Sequence, residues 1–126
     1  MKNQDLKLLY HCVYNLQYHL VLVTKYRRKV INQPIITKLE EHFKYLLNDR
    51  WESELLEFNG EPDHVHLLIS LNPKVDPSKL VNNLKTVSSR IIRRDFPEQV
   101  DKFYRKPVFW SRSYCIINVA WFGWRL

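Results

Sequence analysis

The chain has little of several features that would each point to a particular class of protein. Its 126 residues include only two glycines, which leaves little room for a glycine-rich loop that binds phosphate. Its apolar segments fall well short of the roughly 20 residues that a membrane-spanning helix needs. Its first five residues are not typical of a signal peptide.

The two cysteines, Cys12 and Cys115, are isolated in apolar segments. We therefore expect a cytoplasmic protein with buried, reduced thiols and no membrane partner.

The chain is also poor in acidic residues relative to basic ones. Lys and Arg number 20 against 13 Asp and Glu, which gives a formal net charge of +7. This excess favours a polyanionic partner, because each phosphate that is neutralised releases condensed counterions. A merely basic surface is the equally simple alternative. The length and the 45% apolar content predict a single domain over residues 1–126 with a core of its own.

The hydrophobic pattern predicts the order strand, helix, strand, strand, helix, strand. The predicted strands cover residues 14–26, 54–58, 63–71 and 108–119, and the predicted helices cover residues 34–49 and 77–95. Asn59-Gly60 is typical of a tight hairpin turn. Asp76 followed by proline is typical of a helix start, and Pro97 of a helix end. This order predicts an α+β, ferredoxin-like fold: a four-stranded antiparallel sheet with both helices on one face.

Two histidines in the third predicted strand are separated by one residue. Side chains alternate along a strand, so His64 and His66 lie on one face while Val65 points into the core. Leu68 and Ser70 are predicted on the same open face as the histidines. Two imidazoles on a rigid strand can bind one divalent metal ion. The alternative is a pair of half-buried histidines satisfied by backbone carbonyls or neighbouring side chains.

Carboxylates near the histidine pair offer oxygen donors for such a metal. Asp63 precedes the pair directly, and Glu57 and Glu61 come shortly before it. Imidazole and carboxylate together can hold Mg²⁺, Mn²⁺ or Zn²⁺ and leave coordination positions for phosphate oxygens.

Three blocks of sequence carry a family resemblance: residues 18–28 (YHLVLVTKYRR), 62–68 (PDHVHLL) and 109–114 (FWSRSY). With these blocks the chain resembles the small single-tyrosine HUH transposases of minimal insertion sequences. The resemblance implies a metal site for Mg²⁺ or Mn²⁺ at His64 and His66. It also implies metal-dependent cleavage and rejoining of single-stranded DNA through a 5′-phosphotyrosine. The implied partners are a single-stranded DNA hairpin at the element ends and a second copy of the chain in a homodimer.

The tyrosine nucleophile implied by the resemblance has no counterpart in this sequence. In the family it lies on a helix after the fourth strand, whereas residues 120–126 (AWFGWRL) form an atypical tail that contains no tyrosine, amide or carboxylate. The catalytic tyrosine is therefore not assignable, and we expect weak or no strand transfer. Tyr114 is the nearest possible substitute, although a structural or DNA-stacking role suits it better.

Positive residues in several clusters are the candidates for contact with DNA phosphates. They are Lys25, Arg27, Arg28, Arg90, Arg93, Arg94, Arg105, Lys106 and Arg112. For each of them a solvated surface charge is an equally simple interpretation. Trp110 and Tyr114 are candidates for stacking on unpaired bases, with core packing as the alternative. Two other functions compete with a transposase: a non-catalytic single-stranded nucleic-acid binding protein and a small metal-dependent hydrolase.

Overall fold

The computed structural model describes residues 16–119. The strands are β1 (Gln17–Thr24), β2 (Glu54–Glu61), β3 (His64–Ser70) and β4 (Trp110–Asn118). The helices are α1 (Gln33–Tyr45), α2 (Pro77–Asp95) and the short α3 (Pro97–Asp101). A 3₁₀ turn (Lys25–Arg27) follows β1, and a π-helical turn (Leu46–Arg50) extends α1. The sheet order is β2-β3-β1-β4 with antiparallel neighbours. The predicted α+β, ferredoxin-like arrangement is confirmed.

Side-chain caps and prolines fix the starts of both long helices. The carboxylate of Asp76 accepts a hydrogen bond from the backbone N–H of Ser78 at 2.9 Å, and Pro77 opens α2 as predicted. The Asn32 side chain accepts from the N–H of Ile35 at 3.1 Å at the start of α1. Pro97 does more than end a helix, because it also opens α3, which the pattern did not predict.

One hydrophobic core fills the space between the sheet and the helices. The inner face of the sheet is fully buried where the central strands β1 and β3 supply Leu20, Leu22, Val65, Leu67 and Ile69. The helices contribute the facing residues Ile35, Leu39, Phe43, Leu80, Leu84 and Ile92. Residues 16–119 leave the opposite face of the sheet uncovered, with only partly buried residues over most of β1 and β3; we call it the open face. None of the helices in residues 16–119 is long and apolar enough to cross a membrane.

The predicted hairpin turn at Asn59-Gly60 is wrong. Both residues lie inside β2, and the turn is formed by Pro62 and Asp63 instead, with Glu61 paired to His64. Gly60 allows the close approach of α1 to the sheet and does not form a turn. A Cβ at this position would lie 2.7 Å from the Cγ1 of Ile36, so only glycine lets α1 pack this closely on the sheet.

Two further expectations about burial are corrected by the structure. Ser70, predicted on the open face, is buried; Gln17 and Glu54 are its partners on the neighbouring strands. Cys115, predicted to be a buried thiol, is exposed, because it lies opposite Val21 on the open side of the edge strand β4. Cys12 lies outside the described residues.

Candidate metal and nucleic-acid site

His64 and His66 lie side by side on the open face of β3. Val65 and Leu67, which alternate with them, are fully buried, whereas the side chain of His64 is 38% exposed and that of His66 is partly buried. The predicted placement of both imidazoles on the uncovered side of the sheet is therefore confirmed. The placement follows from the alternation of a strand whose odd-numbered residues are all apolar.

One nitrogen of the His64 ring is held by the residue before it. Nδ1 of His64 donates to Oδ1 of Asp63 at 2.8 Å, and this hydrogen bond is the main reason that the pKa of Asp63 lies below its usual range. The other carboxylate oxygen of Asp63 faces the guanidinium of Arg27 at 3.6 Å. Asp63 thus orients the His64 imidazole and joins it to the positive segment that follows β1.

One nitrogen of the His66 ring is held by a third histidine, His19 of β1. Nδ1 of His19 and Nε2 of His66 are 2.9 Å apart, and the two rings stack with centroids 4.9 Å apart. His19 lies opposite Leu68, so the contact is a diagonal one between neighbouring strands. Burial lowers the pKa of His66, and the positive potential of His19 and His64 lowers it further, against an opposing effect of Glu57. The lowered pKa favours neutral imidazole, the form that binds metals.

One nitrogen of each imidazole remains available to a ligand. Within residues 16–119, Nε2 of His64 and Nδ1 of His66 carry no hydrogen bond, while the opposite nitrogen of each ring is fixed. Metal-binding histidines characteristically have their second nitrogen held in this way. The expected oxygen donors do not complete a site, however. The described part of the chain contains no group of three His, Cys, Asp or Glu side chains arranged to hold a metal, so Glu57 and Glu61 are not third ligands here.

The segment between β1 and α1 forms a positively charged turn, residues 25–28, which we call the basic turn. Its side chains Arg27 and Arg28 are exposed and Lys25 is partly exposed. The hydroxyl of Thr24 fixes it, donating to the carbonyl of Arg28 at 2.6 Å and lying 3.1 Å from the carbonyl of Asp63. The turn is therefore tied directly to the residue that orients His64.

The loop before β4 brings further predicted cations to the basic turn. The hydroxyl of Tyr104 donates to the carbonyl of Lys25 at 2.7 Å, and exposed Arg105 and Lys106 follow this tyrosine directly. Arg112 is exposed near the start of β4, and its carbonyl accepts from Nζ of Lys85 at 3.1 Å.

Lys85 was not among the predicted DNA contacts. Its pKa is lowered by burial and by the positive charge of Lys25, which places both amines in one cationic region. No spacing rule relates a residue in the middle of α2 to the end of β1, so only the packing of the helix on the sheet reveals this neighbour.

Of the three arginines predicted on α2, only Arg94 has contacts that link it to α1. Arg94 binds Asp95 at 2.8 Å, and Asp95 also pairs with Lys38 of α1 at 3.5 Å. Nε of Arg93 donates to the hydroxyl of Ser89 at 3.3 Å. Arg90 is exposed on the same helix. Because α2 packs on the inner face of the sheet, Asp95 and its partners Arg94 and Lys38 lie on the helical side and not on the face that carries the histidine pair.

The structure separates the aromatic residues that were candidates for base stacking. Trp110 is a core residue, 7% exposed, whose Nε1 donates to the hydroxyl of Ser88 at 2.9 Å. Tyr114 packs against the core, with Nζ of Lys85 5.4 Å from its ring centroid. Tyr26 in the basic turn is 72% exposed and was not predicted as a site residue. Its position among Lys25, Arg27 and Arg28 is the feature of the sequence from which a role in DNA binding could have been predicted.

The arrangement of sheet and helices is shared with a known class of protein. A solved transposase structure from Deinococcus radiodurans superposes on 81% of this chain and 77% of its own, with a TM-score of 0.72 and 29% sequence identity. The fold is thus that of a transposase.

Sequence comparison identifies the family. Residues 12–120 match the family described as "Transposase IS200 like", and the chain belongs to that family. It is 32% identical over 111 residues to the ISDra2 transposase TnpA of Deinococcus radiodurans, covering 86% of this chain and 76% of that protein. It is 31% identical over 117 residues to the transposase for insertion sequence element IS200 of Salmonella typhimurium, covering 92% and 75%.

Proposed function

We propose that this transposase-family chain takes part in metal-dependent cleavage and rejoining of single-stranded DNA, with His64 and His66 as ligands of Mg²⁺ or Mn²⁺. The observation that carries the proposal is the pair of imidazoles on the open sheet face beside the basic turn. When bound, the metal would act as a Lewis acid on a phosphate oxygen. Asp63 and His19 each fix one imidazole, so that the nitrogens facing the metal are presented in a set orientation.

The cations around the histidine pair position the DNA backbone in this proposal. Lys25, Arg27 and Arg28 hold phosphates next to His64, and Arg105 and Lys106 extend the positive surface toward β4. Such contacts fix the register of a strand without reading its bases. A DNA hairpin at the element ends is the substrate that the family relationship favours.

We also propose that the chain acts as a homodimer. Support comes from the edge strand β4, which leaves Ile117 43% exposed on the open side of the sheet. An outer strand with an exposed apolar side chain is suited to contact with a second copy of the chain. Light scattering coupled to size exclusion is expected to give twice the mass of one chain.

The metal arm of the test uses Mn²⁺ alone as its probe. Titration calorimetry should detect Mn²⁺ binding to the wild-type chain, and the double variant H64A/H66A should lose it. The matched control is His42→Ala, which removes an imidazole from α1 and should leave Mn²⁺ binding unchanged. Equal binding by wild type and H64A/H66A would exclude the histidine pair as the metal site.

The DNA arm compares two pairs of arginines. The R27Q/R28Q variant should weaken binding of a labelled single strand and reduce the dependence of log K on log salt concentration by about 1.4, or roughly 0.7 for each lost phosphate contact. The R93Q/R94Q variant removes the same charge from α2 and should have the smaller effect. If both pairs change binding equally, the DNA does not prefer the basic turn to α2.

A non-catalytic single-stranded DNA-binding function is the second candidate, and one observation favours it. Within residues 16–119, the hydroxyl of Tyr104 is engaged with a backbone carbonyl, and Tyr18 and Tyr114 pack against the core. These contacts leave Tyr26 and Tyr45 as the exposed tyrosines among the described residues. Incubation with a labelled single strand and Mn²⁺ separates the two functions. A covalent adduct that H64A/H66A does not form supports cleavage, whereas metal and DNA binding without an adduct supports the binding function.

A further inference from the structure

The basic turn contains two consecutive residues in a conformation that side chains disfavour. Tyr26 has φ 58° and ψ 18°, and Arg27 has φ 54°, both in the left-handed region that glycine or asparagine adopts most easily. Tyr26 is 72% exposed, so burial of its side chain offsets little of the conformational free energy that the left-handed backbone costs. A backbone held in such a conformation at an exposed position is a reason to look for a ligand.

The surrounding structure fixes the strained turn from several sides. The N–H of Lys25 donates to the carbonyl of Phe109 at 2.8 Å, and its carbonyl accepts from the hydroxyl of Tyr104 at 2.7 Å. The fully buried Thr24 adds the hydroxyl contacts to Arg28 and Asp63 already described. The turn is therefore a rigid element that displays the Tyr26 ring to solvent.

The exposed ring of Tyr26 has positively charged neighbours that could bind the phosphates of a nucleotide. Nζ of Lys25 and Cζ of Arg28 lie over the ring, 5.3 Å and 5.8 Å from its centroid, in cation–π contact. Arg27, the next residue, pairs with Asp63, whose other oxygen holds His64. When a base replaces one of these cations on the exposed ring, the arrangement matches the way proteins bind single strands, with bases on rings and phosphates on cations.

We propose that Tyr26 is a stacking residue for one unpaired base of single-stranded DNA, next to the phosphate held at His64 and His66. The proposal rests on the DNA-binding function proposed above and adds a residue to it. Lys25, Arg27 and Arg28 hold the phosphates on either side of the stacked base. The left-handed backbone aims the ring outward from the sheet end, so that a base can reach it without entering the core.

The test compares a normal strand with one that has no bases. Fluorescence anisotropy would measure binding of a labelled single strand of mixed sequence and of an abasic strand with the same sugar-phosphate backbone. Tyr26→Asn should weaken binding of the normal strand roughly tenfold or more, the loss of one stacked base. It should leave binding of the abasic strand unchanged. Tyr26→Phe, which keeps the ring, should bind both strands like the wild type.

Two controls separate stacking from a structural role of the tyrosine. Asparagine tolerates the left-handed conformation, so Y26N should unfold in urea at the same concentration as the wild type or a higher one. Tyr45→Asn removes another exposed tyrosine, at the end of α1, and should leave both strands bound as before. The salt dependence of binding should stay unchanged in Y26N, because no charge is lost.

Several outcomes would overturn the stacking role. One is equal binding of the normal strand by Y26N and wild type, and another is an equal loss on the normal and the abasic strand. Lower stability of Y26N would show that Tyr26 serves the fold instead. If the wild type binds no single strand at low salt, the proposed function fails together with the inference. If it binds in a metal-dependent way while Y26N is unaffected, only the inference fails.

Discussion

The two faces of the sheet are made from the same strands but differ in what they do. On the inner face, Leu20, Leu22, Val65 and Leu67 are fully buried beneath the helices. On the open face, the neighbouring positions carry histidines, glutamates and valines that are only partly buried or exposed. One face stabilises the fold through apolar burial, and the other presents imidazoles at defined positions.

The difference shows that the site depends on the core without sharing its residues. Val65 is the clearest example, because it is fully buried and lies between the two histidines on the same strand. A residue anchored in the core fixes the backbone from which its neighbours project. Substitutions on the inner face should therefore change stability, and substitutions on the open face should change binding.

The largest expected effect comes from opening a cavity on the inner face. Leu67→Ala should lower the free energy of unfolding by about 2–5 kcal/mol, since a fully buried leucine leaves a cavity that the helices cannot fill. Urea denaturation followed by circular dichroism would measure it. The matched change on the open face, Ile117→Ala, should cost about 0.5 kcal/mol or less in the single chain. Similar losses at both positions would show that the faces do not differ in this way.

The second effect concerns His19, which orients a proposed ligand without being one. Removal of a group that orients a metal-bound histidine typically weakens metal binding about tenfold or more. We expect this loss of Mn²⁺ affinity for His19→Phe, which keeps a ring at the position but removes the bond to Nε2 of His66.

A conservative variant at the same position makes the His19 prediction specific. The side chain of His19→Asn can place a polar atom where Nδ1 lies, so it should recover most of the Mn²⁺ affinity in the same titration. Equal affinities of H19F, H19N and wild type would show that the hydrogen bond to His66 does not matter for the metal.

The smallest effect concerns a histidine on the helical side. His42 of α1 has a buried Nε2 with no hydrogen-bond partner, and burial lowers its pKa from 6.5, with Lys38 and Arg94 lowering it further. The folded chain therefore takes up a proton here less readily than the unfolded chain. Stability should fall as the pH drops through about 6.5, because protons favour the unfolded state. His42→Leu should be about 1 kcal/mol more stable near pH 7.

The pH dependence identifies the origin of the His42 effect. The gain in stability of H42L over the wild type should increase between about pH 7 and about pH 5, measured by urea denaturation at each pH. Lys38→Gln removes one of the two positive neighbours and also the pair with Asp95, so it should lessen the fall in stability below about pH 6.5 without raising stability near pH 7. A gain in H42L that does not vary with pH would assign the effect to packing alone.

Much of this architecture could be predicted from local patterns. Alternation in residues 64–69 gave both the buried face and the histidine face, because side chains of a strand have a fixed period of two. Asp76 and Pro77 predicted the start of α2, since the cap acts within one turn. The prediction at Asn59-Gly60 failed because a glycine serves equally well for a turn or for a close contact. Only the position of Ile36 distinguishes the two.

The sequence alone determined the order of the elements, the shared face of His64 and His66, and the excess of positive charge, because each depends on neighbouring residues or on composition. The tertiary structure alone decided which distant groups meet. It placed His19 on His66 through the register of β1 and β3, and Tyr104 and Phe109 on the basic turn through the packing of the loop before β4. Contacts between residues far apart in the chain depend on strand register and helix packing, which no local pattern encodes.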